Sequence, residues 1–156
     1  MSGGSGEEAF KRALKFLGYR ARSEAEVRTK LIQAGFSPKI VEPILEKLRS
    51  LKLLDDEAFA RSFAQARIED RGYGPLRLER ELRLKGIGKA LVGRILDESF
   101  GRQGGKDRAQ ALLERRFRGK DLSNAKNLRR VISFLQRRGY RDSVIAEVLK
   151  QPIGND

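Results

Sequence analysis

Three stretches of this chain carry residue types that could do chemistry, and each fails on spacing. Asp55-Asp56-Glu57 is the densest run of carboxylates, the kind that holds a divalent cation or works as an acid–base pair. It stands where one apolar stretch ends and a helical pattern begins, so capping a helix and complementing its dipole is the expected role. Gly101-Arg102-Gln103-Gly104-Gly105-Lys106-Asp107 looks like a phosphate loop. Only three residues separate Gly101 from Gly105, and Asp107 stands where a magnesium-binding Ser or Thr is needed. Gly86-Ile87-Gly88 lacks a third glycine and a preceding strand, so it is no dinucleotide fingerprint. Asp97-Glu98 has no identifiable partner. The chain contains 0 His and 0 Cys, which removes the commonest general base, the thiol nucleophile and the common metal sites. No catalytic residue, metal or cofactor is expected: the chain reads as a binding protein, not an enzyme.

What it binds is suggested by charge. The 156 residues carry 34 Lys and Arg against 21 Asp and Glu, a net +13. Such an excess favours nucleic acid, a nucleoprotein or an acidic protein surface. The excess is uneven: residues 1–54 net +5, residues 55–104 net +1 and residues 105–156 net +7. The last third holds Arg115, Arg116, Arg118, Lys126, Arg129, Arg130, Arg137 and Arg138 as candidate contacts. Its Arg-rich composition suits bidentate contacts to phosphate or carboxylate. Arg137 and Arg138 also fall at a helix C-terminus, where cations are stabilising for structural reasons alone. Arg77, Arg80 and Lys85 are candidates in the middle third, interleaved with Glu79 and Glu81, a mixed face better suited to protein than to a phosphate backbone. Tyr73, flanked by glycines, is expected to be a surface contact and Tyr140 to be packed. No recognition helix, zinc finger or aromatic RNA-binding strand is evident, so sequence-specific DNA reading is not expected.

The elements that carry these residues repeat. Gly35, Gly86 and Gly139 stand 51 and 53 residues apart. Four residues before each is Leu31, Leu82 or Leu135, and eight before is Val27, Leu78 or Val131. Phe36, Ile87 or Tyr140 follows immediately. Further on come Ile40-Val41, Leu91-Val92 and Val144-Ile145, then Ile44-Leu45, Ile95-Leu96 and Val148-Leu149. These seven matched apolar columns define three tandem repeats. In each, a helix ends at the glycine, an apolar residue turns the chain back and a short helix follows. One further helix precedes the pair: about Glu7 to Leu17, Asp55 to Glu69, and Lys106 to Phe117. Ser23 with Glu26 forms a capping-box pattern, and Ser37-Pro38 an N-cap followed by Pro at the first helical position. Pro43 is expected to kink or shift its helix.

The expected fold is therefore all-α, an elongated, curved right-handed or solenoid-like array of three three-helix repeats. The expected divisions are a flexible leader 1–6, repeats 7–54 and 55–100, a linker 101–105, a repeat 106–150 and a tail 151–156. No apolar run reaches membrane-spanning length and no secretory signal is evident, so a cytoplasmic protein is expected, most simply a monomer.

The run Leu54-Asp55-Asp56 with Phe59-Ala60, then Arg67, Gly74, and Glu81-Leu82 ahead of Lys85-Gly86-Ile87, resembles the RecX family of regulators of the RecA recombinase. Asp55, Asp56, Phe59, Ala60, Arg67, Gly74, Leu82, Gly86 and Ile87 are the hallmark positions, most of them structural in type. The likeness extends over residues 9 to 150. It implies a small, basic, all-helical protein that lies in the helical groove of the RecA–single-stranded-DNA filament. There it would suppress ATP hydrolysis, strand exchange and co-protease activity, and so modulate recombination, DNA repair and the SOS response. The implied partners are the RecA filament, single-stranded DNA and, secondarily, double-stranded DNA. The competing reading from charge alone is a non-specific DNA-binding helical-repeat protein.

Overall fold

A computed structural model describes residues 4–150. The first half of the expected leader and the whole expected tail lie outside that range. The described residues form nine helices and no strand: α1 (Gly6–Leu17), α2 (Glu24–Gln33), α3 (Pro38–Ser50), α4 (Asp56–Arg71), α5 (Pro75–Leu84), α6 (Lys89–Phe100), α7 (Lys106–Phe117), α8 (Ala125–Arg138) and α9 (Asp142–Leu149). Ser5 and Gly6, assigned to the leader from sequence, open α1 instead, with the Ser5 hydroxyl accepting from the Glu8 N–H at 3.3 Å.

The apolar columns become the cores. Val27, Leu78 and Val131, and Leu31, Leu82 and Leu135, are all fully buried. Each such Leu or Val contributes roughly 1.5–3 kcal/mol relative to exposure. The column after the glycine is buried too, as Phe36, Ile87 and Tyr140. The core splits into three clusters, each within one helix triplet: Ala9 to Leu54, Phe59 to Phe100, and Ala109 to Val148. The extensive helix–helix packing likewise stays within α1–α3, α4–α6 and α7–α9. Tandem three-helix units joined end to end are the result.

The turn between the second and third helix of each triplet is one device built three times. Phe36 N–H reaches Leu31 O, Ile87 N–H reaches Leu82 O, and Tyr140 N–H reaches Leu135 O, all at 3.1 Å. These are the six-to-one bonds of a Schellman turn, which needs a left-handed residue just before the donor. Gly35, Gly86 and Gly139 supply it at φ 100°, 80° and 96°.

The capping patterns mostly materialise. Ser23 and Glu26 form a reciprocal capping box, and Asp55 accepts from the Ala58 N–H at 3.1 Å. Ser37 is the N-cap residue of α3 with Pro38 behind it, but its side chain makes no capping hydrogen bond. Pro43 does not break α3, which is assigned without interruption through it. Pro43 and Lys39 are both exposed, so the Lys39 carbonyl left without a donor is open to water, where its loss costs least.

The repeats meet through helix starts and turns. At the first junction the Ser23 hydroxyl donates to Lys85 O at 2.6 Å, and the Glu24 N–H donates to Asp56 Oδ1 at 2.8 Å. A Cβ on Gly86 would lie 2.2 Å from the Ala25 Cβ. At the second junction the Gly74 N–H donates to Arg138 O at 2.6 Å and the Leu76 N–H to Gly139 O at 2.9 Å. A Cβ on Gly139 would lie 2.4 Å from the Arg77 backbone nitrogen. In both cases the start of the middle helix of one repeat sits against the glycine turn of the next.

Candidate nucleoprotein interface

The cations predicted as contacts separate into two groups once their surroundings are known. Arg77 is held within the second junction. Its guanidinium stacks 4.3 Å from the Tyr73 ring centroid, donates to Arg137 O at 3.0 Å, and lies 3.4 Å from Glu81. Lys85 reaches Glu26 at 3.3 Å across the first junction while its carbonyl accepts from Ser23. Arg138 stacks 4.9 Å from the Phe134 centroid and gives its carbonyl to Gly74. Arg137 donates to Ser133 Oγ within α8, and its carbonyl accepts from Arg77. These four join repeats or brace α8.

Arg80, Arg115, Arg116, Arg118, Lys126, Arg129 and Arg130 are exposed and make no ion pair among the described residues. All but Arg80 belong to the third repeat. On α8 the buried face is Val131, Phe134 and Leu135. Lys126, Arg130 and Arg137 fall at i, i+4 and i+11 along an outer stripe, with Arg129 beside it. Asn124 starts this helix by accepting from the Lys126 and Asn127 N–H groups at 2.8 and 3.2 Å. Asn127 Nδ2 in turn donates to Asp121 O at 2.9 Å, bracing the preceding loop. Arg116 comes within 5.8 Å of the same Phe134 ring that Arg138 covers, so the end of α7 and the end of α8 converge there. Arg115 and Arg138 line one groove together with Arg71 and Arg108; sequence reasoning singled out neither of the last two, because only the junction brings them there.

The carboxylates of this repeat do little to neutralise it. Among the described residues its only ion pair is Lys106–Glu147, at 3.1 Å. Glu114 accepts from Gln110, Asp121 from Ser123 and Asp142 from Gln136, all uncharged donors. Hydrogen bonds from the Ser123 hydroxyl and backbone hold the Asp121 carboxyl below the ordinary aspartate range, so it stays charged without being paired to a cation.

The hallmark residues have structural employment. Asp55 caps α4, and Asp56 accepts the Glu24 N–H across the first junction. Phe59, Ala60, Leu82 and Ile87 are buried. Arg67 stacks 4.3 Å from the Phe63 centroid and lies 3.6 Å from Glu81. Gly74 and Gly86 are among the residues at which neighbouring repeats touch. Tyr73 corrects the sequence reading: it is 2% exposed, not a surface contact. Its glycine-flanked loop is covered by Arg77. Tyr140 is packed as expected, with its hydroxyl donating to Gly72 O at 3.1 Å and its pKa pushed up by burial to about 12.

No group of three or more potential metal ligands occurs among the described residues. No described helix is long and apolar enough to cross a membrane.

Comparison with known proteins decides the family. The profiles of the first, second and third three-helix domains of RecX match residues 9–48, 55–96 and 106–149. The chain belongs to the RecX family. It is 34% identical over 139 residues to regulatory protein RecX of Halorhodospira halophila, covering 89% of this chain and 84% of that protein. It is 35% identical over 149 residues to regulatory protein RecX of Mycobacterium sp. strain KMS, covering 92% and 80%. A crystal structure of regulatory protein RecX superposes with a TM-score of 0.75 at 30% identity, over 94% of this chain and 72% of that one. RecX from Lactobacillus salivarius shares the fold, with a TM-score of 0.77 at 21% identity over 93% and 94% of the two chains. RecX relatives are thus regulatory proteins with this helical-repeat architecture.

Proposed function

We propose that this chain binds along the filament that the RecA recombinase forms on single-stranded DNA, in its helical groove. There it restrains ATP hydrolysis, strand exchange and co-protease activity, and so modulates recombination, repair and the SOS response in the cytoplasm. The observation that carries this reading is the concentration of unpaired guanidinium groups on the third repeat of a tandem array whose family is RecX. A series of repeats placed end to end can span neighbouring subunits of a filament. One end rich in free Arg supplies attraction to the DNA or to acidic faces of the recombinase. The protein acts as a monomer by occupying a surface and has no catalytic step of its own.

The test is the RecA ATPase rate on single-stranded DNA, measured during titration with this protein and paired with direct DNA binding at the same salt. The rate is expected to fall at concentrations where bare DNA is hardly bound. A fall that only tracks coating of the DNA, or no fall, would overturn the reading. The exposed cations of the third repeat would then favour a general nucleic-acid binder, whose affinity drops steeply with salt.

A further inference from the structure

We propose that the groove at the first repeat junction is a docking site for an acidic peptide segment that carries one large apolar side chain. The groove has a volume of about 550 Å³ and lies between the loop after α1, the start and face of α4, and the end of α5. Five cations line it, Arg20, Arg22, Lys52, Arg67 and Lys85, against one carboxylate, Asp55. That carboxylate is occupied in capping Ala58.

Two of the cations already share one carboxylate, because Arg20 and Lys85 both reach Glu26, at 2.8 and 3.3 Å. Arg22 and Lys52 have no ion-pair partner among the described residues. Arg67 has only Glu81, at 3.6 Å and without a hydrogen bond. The Nε atoms of Arg22 and Arg67 are buried with no hydrogen-bond partner. Arg22 lies 3.9 Å over the Phe16 centroid and Arg67 4.3 Å over that of Phe63. A guanidinium held over a ring has lost much of its rotamer freedom before any ligand arrives, and its fork suits a carboxylate. Between these cations the groove is apolar, with Leu53, Phe59, Phe63 and Ala66. Leu53 is 45% exposed.

The same rings argue for peptide over nucleic acid. A single-stranded base needs an open aromatic face. Phe16 is covered by Arg22 and approached by Lys30, and Phe63 is covered by Arg67 and stacked on Phe59 at 5.8 Å. What stays open is charge beside aliphatic surface. The corresponding groove at the second junction is smaller, about 370 Å³, and its cations share it with Glu69 and Asp70. A ligand of this chemistry therefore prefers the first junction. Seated there it touches residues of both repeat one and repeat two.

The proposal stands independently of the filament reading, and its test contains no recombinase. The full chain is titrated against a fluorescent peptide of Asp and Glu around a single Phe, and against the same peptide with Ser for Phe. The Phe peptide is expected to bind about tenfold more tightly, the worth of one buried ring. Arg22→Glu with Lys52→Glu is expected to weaken it by at least about tenfold, whereas Arg129→Glu with Arg130→Glu, the same change of net charge, costs several-fold less. Because Arg22 contacts Phe16, exposed Lys52→Glu and Leu53→Ser are each measured alone. The first is expected to weaken both peptides, and the second to abolish the preference for Phe. Equal binding of the two peptides, an unchanged affinity in the Lys52 variant, or an equal loss in the third-repeat variant would overturn the proposal. So would displacement by an oligothymidylate that depends on Arg22 and Lys52, which would make the groove a nucleic-acid site.

Discussion

The second and third repeats share one turn and one packing scheme, yet treat charge in opposite ways. In the second, Arg61 bonds Glu57 and Glu98, Arg94 reaches Glu57, Arg77 shares Glu81 with Arg67, and Arg83 faces Glu79. The third has Lys106–Glu147 alone among the described residues. Exposed pairs of this kind add little stability, typically under about 1 kcal/mol, so the difference has little to do with holding the helices together. Its effect is on the field outside the protein. A net +1 tied into pairs attracts little at a Debye length of roughly 10 Å, whereas +7 left free attracts a polyanion. One fold carries its charge once tied into pairs and once largely unpaired among the described residues.

The largest effect is expected from breaking that contrast directly. Replacing Arg129 and Arg130 with Ala should lower affinity for single-stranded DNA or its recombinase filament roughly ten- to a hundredfold. The dependence of log affinity on log salt should become shallower by about two. Arg61→Ala with Arg94→Ala removes the same formal charge from the second repeat and should leave the slope nearly unchanged, because Glu57 and Glu98 already neutralise those groups. Equal slopes for the two double variants would sink the comparison.

The next effect separates the turns. Gly139→Ala forces an alanine to φ 96° and drives its Cβ against Arg77. Gly35→Ala meets the same backbone demand, at φ 100°, with nothing within 4 Å of the new methyl. The left-handed conformation alone costs about 1–2 kcal/mol. Urea unfolding should therefore show Gly35→Ala destabilised by that much and Gly139→Ala by more. Matching losses would mean that the repeats part without penalty.

What the sequence made legible is what repeats locally. The seven apolar columns, the three left-handed glycines and the capping box all depend on spacing within about ten residues, and all are found. The concentration of free charge on the third repeat was also readable, since it depends on composition. What was not readable lies across junctions. Tyr73 sits between glycines and looks exposed, but residues 137–140, more than sixty positions away, bring Arg77 and Gly139 against its loop. Arg77 and Lys85 looked like contact residues for the same reason: nothing within their own repeat shows that Arg137 O and Glu26 will meet them. The spacing of Ser23 and Glu26 shows a cap, but not the second bond of Ser23, to Lys85 O, which spans 62 positions.

That second bond gives a smaller, well-defined test. Ser23 is fully buried, accepting from the Glu26 N–H at 3.1 Å and donating to Lys85 O. Asn124 holds the equivalent place at the start of α8 but is exposed and serves only its own helix. Asn124→Ala should cost about 1 kcal/mol, the usual worth of a cap. Ser23→Ala should cost up to about 2, because it also leaves the part-buried Lys85 carbonyl without its donor. Chemical denaturation of the two variants in parallel measures the difference, and a cost for Ser23 no greater than for Asn124 would show that the junction bond is not formed in solution.

The smallest effect concerns pH, where one aspartate in the first junction and one in the third repeat should act with opposite sign. Burial is the main cause that raises the Asp56 pKa above its ordinary value, partly opposed by the Glu24 N–H bond. The folded state therefore binds that proton more readily than the unfolded chain. The contribution of Asp56 to stability rises as pH falls through the folded pKa, and is complete only below the ordinary aspartate value of about 3.9. Asp121 is lowered by its bonds from Ser123. Its contribution is present above the ordinary value and is lost as pH falls through the depressed one. Asp56→Asn keeps an oxygen for the Glu24 N–H and removes the titration, so this variant should lose stability more steeply than the parent on acidification. Asp121→Asn should lose it less steeply. Urea midpoints measured from neutral pH down to about pH 2 span both windows and distinguish the two slopes, and an Asp56→Asn curve parallel to the parent would mean that the carboxylate is solvated and the first junction open at that point.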